Sequence, residues 1–197
     1  LRNRRMQRWF ELYADECMKN KTHLGFSMMT SSVNVVYQLC HLFTHIFHEG
    51  IGLRQLMDYY YTLRIWHNDL EEKKDLQSQG MWSEGLGTAV MSKEEVMAVL
   101  RSFGMKKFAS AVMYVLHEVF AIPTNYYICE PNEKEGRKLL EEIMKGGNFG
   151  QYDERGKEFK NGGMVKHGVW KLMRVMRLVR SYPEEALWEP VFRVWHL

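Results

Sequence analysis

The stretch from residue 33 to residue 48 most constrains the fold, because it forms a helix that is apolar around most of its circumference. At about 100° per residue, one face carries Val33, Val36, Tyr37, Cys40, Phe43 and Phe47, and another carries Val35, Leu39, Leu42 and Ile46. Such a helix belongs in a protein interior, with other helices packed around it. We therefore expect Cys40, Phe43 and Phe47 to be almost fully buried.

Capping and turn residues divide the rest of the chain into further helices. Ser92 and Glu95 have the spacing of a capping box, Gly104 follows the next apolar run, and Asn132 precedes another. No segment shows sustained strand-like alternation, and only 4 Pro occur in 197 residues. The sequence therefore predicts one all-α domain over residues 1–197, a bundle of seven or eight helices around the buried helix. The predicted helices are about 4–20, 33–48, 52–69, 93–103, 105–121, 133–145, 165–181 and 184–197, with loops at 71–91 and 146–163.

Charge and cysteine content limit the partners and the compartment. The net charge of +3 is a mild basic excess, which favours a small anionic ligand over nucleic acid. The three cysteines are far apart and odd in number, as expected of reduced thiols in a cytoplasmic protein. No apolar run is long enough to predict a membrane span. The chain begins without Met, and we expect it to be part of a longer protein.

A narrow polar strip runs along the otherwise apolar helix 33–48. Its members are Asn34, Gln38, His41, His45 and His48. Buried polar groups need hydrogen-bond partners, so the strip either lines a polar cleft or consists of satisfied core side chains. Two His at i and i+4 can also hold a metal, but the glutamate of an HExxH motif is missing, and we predict no metal site.

The residues after the strip predict a tight turn into the next helix. Gly50 suits a left-handed helix cap and Gly52 suits a helix start. Arg54 then falls in the first helical turn, where its charge opposes the helix dipole at a cost of about 0.3–1 kcal/mol if exposed. An anion at that helix end would explain the placement, and so would a tertiary ion pair. We predict that Arg54 and the three histidines share a cavity with the two glycines at its rim.

The segment HLFTHIFHEGIGLRQLMDYY resembles the signature of a family of bacterial nucleotidyltransferase-like proteins. The matching positions are His41, His45, Gly50, Gly52, Leu53, Arg54, Gln55, Leu56 and Asp58. The segment 136–153 is similar to the C-terminal part of that family. The resemblance implies that this chain is a helical, substrate-side region, joined in the whole protein to an N-terminal catalytic domain with Gly-Ser and Asp-x-Asp motifs.

The Asp-x-Asp carboxylates, which this chain lacks, would bind Mg²⁺ and the phosphates of an NTP. The resemblance therefore implies Mg²⁺ and an NTP as ligands of the whole protein, and no cofactor for this chain. It implies a substrate-binding set of His41, His45, His48, Gly50, Gly52, Arg54, Gln55 and Asp58. Asp58 is the candidate catalytic base, and one of the three histidines is the alternative. The isolated chain should then be inactive. The alternative is a non-catalytic binding or assembly module. A DNA-binding helix-turn-helix is disfavoured, because residues 52–69 carry little positive charge.

Overall fold

The protein is described by a computed structural model that covers residues 2–48, 50–79 and 90–146, together with positions 173, 176, 179, 182 and 183. The helices are α1 (Arg2–Lys19), α2 (Ser31–His48), α3 (Leu53–Ser78), α4 (Lys93–Ser102), α5 (Lys106–Phe120) and α6 (Glu133–Gly146), with a 3₁₀ turn at Thr124–Tyr126. Within these residues the only β-type pairing is the isolated bridge between Lys21 and Ser27. The all-α prediction is confirmed, and the six helices predicted within the described ranges are all present.

The core forms among α2, α3, α4 and α5, and α2 packs most extensively on α3. Cys40, Phe43 and Phe47 keep only 4%, 1% and 4% of their surface exposed, as predicted. The ring of Phe43 packs edge-on against Phe108 of α5, with 4.9 Å between the ring centroids. Residues 111–116 of α5 are all buried, so this helix is enclosed on every side over that stretch. The sequence predicted α2 as the buried centre, and the structure shows that α5 is enclosed more completely over residues 111–116.

Three helix ends follow the predicted capping chemistry. The hydroxyl of Ser92 accepts a hydrogen bond from the Glu95 N–H at 3.2 Å, and a Glu95 carboxylate oxygen accepts from the Ser92 N–H at 2.7 Å. After α4, Gly104 has φ +72°, a left-handed conformation that favours glycine. Asn132 caps α6, because its side-chain oxygen accepts from the Glu135 N–H at 3.0 Å. These ends depend on neighbouring residues, which explains why the sequence predicts them.

The predicted end of α3 was wrong. The helix continues to Ser78, so residues 71–78 are helical and not part of a loop. Two contacts with the segment before α4 hold it: Trp66 Nε1 donates to the Met91 carbonyl at 3.1 Å, and Lys73 Nζ donates to the Val90 carbonyl at 2.8 Å. A local pattern could not show these bonds, since the partners are far apart in sequence.

Several predictions fall on residues whose structure is not described. They are residues 80–89 of the loop predicted at 71–91, the part of the predicted glycine-rich loop that lies beyond residue 146, and the predicted helix 184–197. In the predicted helix 165–181, the described positions 173 and 176 are helical. Tyr182 is buried and packs its ring against Phe43, with 5.2 Å between the centroids.

Candidate ligand-binding site at the turn between α2 and α3

The turn between α2 and α3 is built on two glycines. Gly50 has φ +91°, and its N–H donates to the His45 carbonyl at 2.7 Å, a bond that closes the end of α2. Gly52 precedes α3 in extended backbone, and its N–H donates to Gln55 Oε1 at 2.8 Å. Both glycines are buried. The predicted roles of the glycines in the turn are confirmed, and the Gln55 side chain caps α3.

His41 and His45 lie together on the outer surface of α2. Their Nε2 atoms are 3.1 Å apart, and the two rings meet edge to face at 4.3 Å. The ring of Tyr37 is stacked on His41 at 5.9 Å and 11°, and Phe10 of α1 meets Tyr37 edge-on. His41 is exposed, so it is not a satisfied core histidine. Tyr37, expected on a buried face, is 37% exposed.

The pKa of His41 lies below its usual value of 6.5, first because of partial burial and then because of the neighbouring charge on His45. His41 is therefore neutral at physiological pH, and the two rings can share one N–H···N hydrogen bond. The neutral imidazole of His41 can donate to or accept from a bound ligand. Within the described residues, no group of three or more His, Cys, Asp or Glu side chains could hold a metal ion.

Arg54 and Asp58 lie on the first two turns of α3, and both are exposed. They are four residues apart and share one helix face. In the described part of the chain, neither side chain makes a hydrogen bond or an ion pair. The tertiary ion pair offered as an alternative explanation of Arg54 is therefore not present there. Its guanidinium is available to a ligand.

The predicted cavity shared by Arg54 and the three histidines stays a prediction. The structure brings His41 and His45 together, and it places Arg54 just after the buried turn that follows them. The side chain of His48 and the whole of Glu49 lie outside the described residues. The surface between Arg54 and the C-terminal end of α2 depends on those two residues.

A second candidate site was missed by the sequence analysis. A groove of about 630 Å³ lies between the start of α5 and the start of α6, and its walls carry Arg101, Lys106, Lys107 and Lys134. The sequence did contain a signal for this site, because a lysine comes directly after the first residue of the predicted helices 105–121 and 133–145. What the sequence could not show is that the two starts adjoin.

The chain has no match among protein families, curated proteins or solved structures. The family resemblance therefore rests on the residues of the α2–α3 turn and of segment 136–153 alone. In the described ranges, none of the helices combines the length and the apolar character that a membrane span needs.

Proposed function

We propose that this chain is the helical, substrate-side domain of a nucleotidyltransferase-like protein, and that its α2–α3 turn binds a phosphate of the nucleotide or of the acceptor. The observation that carries the proposal is Arg54, an exposed cation in the first turn of the 26-residue helix α3 with no protein partner in the described residues. A cation at that helix end is unfavourable by itself. An anion would be held there by the guanidinium and by the helix dipole together.

The neighbouring residues suit the same ligand. The neutral imidazole of His41, 3.1 Å from the ring of His45, offers a hydrogen bond without adding a charge that must be desolvated. Asp58, one turn beyond Arg54, is the candidate base that would accept a proton from an acceptor hydroxyl. The chain lacks an Asp-x-Asp pair, so its residues do not fit the Mg²⁺ site implied by the resemblance. That metal and the NTP it would orient belong to the N-terminal domain in this proposal.

Isothermal titration of the purified chain with ATP and with inorganic pyrophosphate tests the phosphate site. Arg54→Lys should weaken binding, because lysine cannot form the two parallel hydrogen bonds of a guanidinium. Arg54→Gln should weaken it further. The control is Arg64→Gln, which removes an exposed arginine from the same helix three turns away. Equal affinities for the Arg54→Gln and Arg64→Gln variants would refute the site.

The proposal also predicts that the isolated chain has no nucleotidyl transfer activity. The physical reason is the missing carboxylate pair, without which the attacking and leaving oxygens cannot be clamped. The measurement is transfer of a labelled nucleotide by the purified chain with Mg²⁺ and a panel of hydroxyl acceptors. Metal-dependent transfer above that of a heat-denatured sample would show that the domain assignment is wrong.

A second candidate function is a non-catalytic binding or assembly module. The connection between α1 and α2 favours it, because Leu24, Phe26 and Met28 remain 69%, 70% and 54% exposed. Neighbouring exposed apolar side chains often mark protein contacts. Sedimentation velocity over a range of concentrations would test self-association, with Phe26→Ser as the variant. Under this alternative, the Phe26→Ser variant associates less and the Arg54 variants behave as the wild type.

A further inference from the structure

The groove between the starts of α5 and α6 concentrates positive charge. Among the described residues, its lining contains Arg101 at the end of α4, Lys106 and Lys107 at the start of α5, Lys134 at the start of α6, and one carboxylate, Glu135. Four cations and one anion give this small surface the same net charge, +3, as the whole chain. Positive charge in a concave surface attracts anions more strongly than the same charge spread over a protein.

The one carboxylate in the groove is already neutralised by the protein. Glu135 is 9% exposed, and its oxygens lie 3.3 Å from Lys107 Nζ and 3.0 Å from Lys138 Nζ. Lys107 also lies over the ring of Tyr182, with its Nζ 5.8 Å from the centroid. Lys107 and Glu135 therefore have structural roles. They leave the other three cations for a ligand.

Those three cations are Arg101, Lys106 and Lys134. All are exposed, and none makes a side-chain hydrogen bond or ion pair within the described residues. Arg101, Lys106 and the exposed carboxylate of Glu130 all act electrostatically on the thiol of Cys129. Burial raises the pKa of that thiol to about 11, so at neutral pH it does not supply a further negative charge. Glu130 offsets part of the positive charge, and the three cations outnumber it.

The walls of the groove are held in place by packing and by backbone hydrogen bonds. The N–H of Asn132 donates to the Ser110 carbonyl at 3.0 Å, which joins the start of α6 to α5. One turn further along, Gly136 packs directly on Tyr114. Ser110 and Asn132 also contribute polar side chains to the lining of the groove. α5 also begins without a side-chain cap, because Met105 at its N-cap makes no side-chain hydrogen bond to the first N–H groups of the helix. The first N–H groups of α5 thus lack a side-chain acceptor at the place where Lys106 and Lys107 line the groove.

We propose that this groove is an anion-binding site, distinct from the α2–α3 turn, that takes the phosphate group of a small molecule. A phosphate carries up to two negative charges and three strong acceptor oxygens, which matches three free cations, the amide N–H groups of the Asn132 side chain and an uncapped helix start. A carboxylate would leave more of the positive charge unpaired. Single-stranded nucleic acid is disfavoured, because the described residues that line the groove include no aromatic side chain for base stacking.

Titration of the folded chain with inorganic pyrophosphate tests the groove. The double variant K106Q/K134Q removes two of the three free cations and leaves the Lys107–Glu135 contact intact. Its matched control is K19Q/K21Q, which makes the same change of net charge at two exposed lysines near the end of α1. With Arg54→Gln present in every sample, so that the α2–α3 turn does not contribute, we expect pyrophosphate affinity to fall at least about tenfold when K106Q/K134Q is added and to stay within about twofold when K19Q/K21Q is added. Circular dichroism verifies that both variants fold.

Two further comparisons distinguish a nucleotide from a simple phosphate as the ligand, and the groove from the α2–α3 turn as the binding site. Tighter binding of ATP than of pyrophosphate, lost in K106Q/K134Q, assigns the groove to a nucleotide, whereas equal binding assigns it to the phosphate alone. Arg54→Gln should leave groove binding unchanged, so a failure at one site is distinguishable from a failure at the other. The proposal would be overturned if K106Q/K134Q and K19Q/K21Q lost pyrophosphate affinity equally, or if the wild type bound no pyrophosphate. Stronger binding of an oligonucleotide than of either small anion would overturn the ligand class.

Discussion

Replacement of Gly136 by alanine tests how closely α5 and α6 are packed. Gly136 lies in α6 and faces Tyr114 of α5, which is 8% exposed. A Cβ atom at position 136 would come far inside van der Waals contact with three atoms of Tyr114, namely Cβ, Cγ and Cδ1. Carbon atoms prefer separations of about 3.5–4.0 Å. Alanine therefore cannot be added without moving one helix relative to the other.

Two opposing effects decide the sign of the change in stability. Alanine is favoured over glycine in a helix interior by about 0.8–1.0 kcal/mol. Overpacking in a well-filled core costs about 1–3 kcal/mol, occasionally more. The steric term should win here, because Tyr114 Cβ is bonded to the backbone and no rotamer change moves it away. We expect Gly136→Ala to lower the free energy of unfolding by about 1–2 kcal/mol after the helix gain is included.

Urea unfolding followed by circular dichroism measures this change. Gly146→Ala is the matched control, because Gly146 also lies in α6 and a Cβ there would meet nothing within 4 Å. The control should be as stable as the wild type, or more stable. If Gly136→Ala proved as stable as Gly146→Ala, the close approach of the two helices would be wrong. The walls of the proposed groove would then also need revision.

Three further predictions concern α2 and α4. Phe43→Ala should lower the free energy of unfolding, measured in urea, by about 3–5 kcal/mol, because the side chain is 1% exposed and packs against three rings. A decrease of less than about 1 kcal/mol would mean that α2 is not part of the core. Ser92→Ala should cost about 1 kcal/mol through the loss of the α4 cap, and Ser92→Asp, which keeps an acceptor, should recover most of it. The folded-state pKa of His41 lies below its unfolded value, so the unfolded chain binds more protons below about pH 6.5 and stability falls as the pH decreases through that window. His41→Gln should reduce the slope of stability against pH between about pH 7 and pH 5, and an unchanged slope would contradict the role of His41.

The sequence by itself determined those features that depend on residues within one or two helical turns. The periodicity of α2 predicted which side chains enter the core, and Cys40, Phe43 and Phe47 are buried. The capping box at Ser92 and the positive φ of Gly50 follow from the same local chemistry. At the candidate site, the sequence predicted the glycine turn and the position of Arg54 early in α3. Hydrogen bonds at helix ends join residues three to five apart, so a local pattern can specify them.

Only the tertiary structure decided which faces are left open and which distant segments meet. α3 extends to Ser78 because Trp66 and Lys73 reach the backbone at residues 90 and 91. In the polar strip, His41 is exposed whereas Asn34, Gln38 and His45 are half-buried. A helical period shows which residues share a face but not what packs on it. The basic groove exists because Gly136 lets α6 approach α5 and brings Lys134 beside Lys106. Such contacts join residues far apart in the chain, and the packing of the whole molecule determines them.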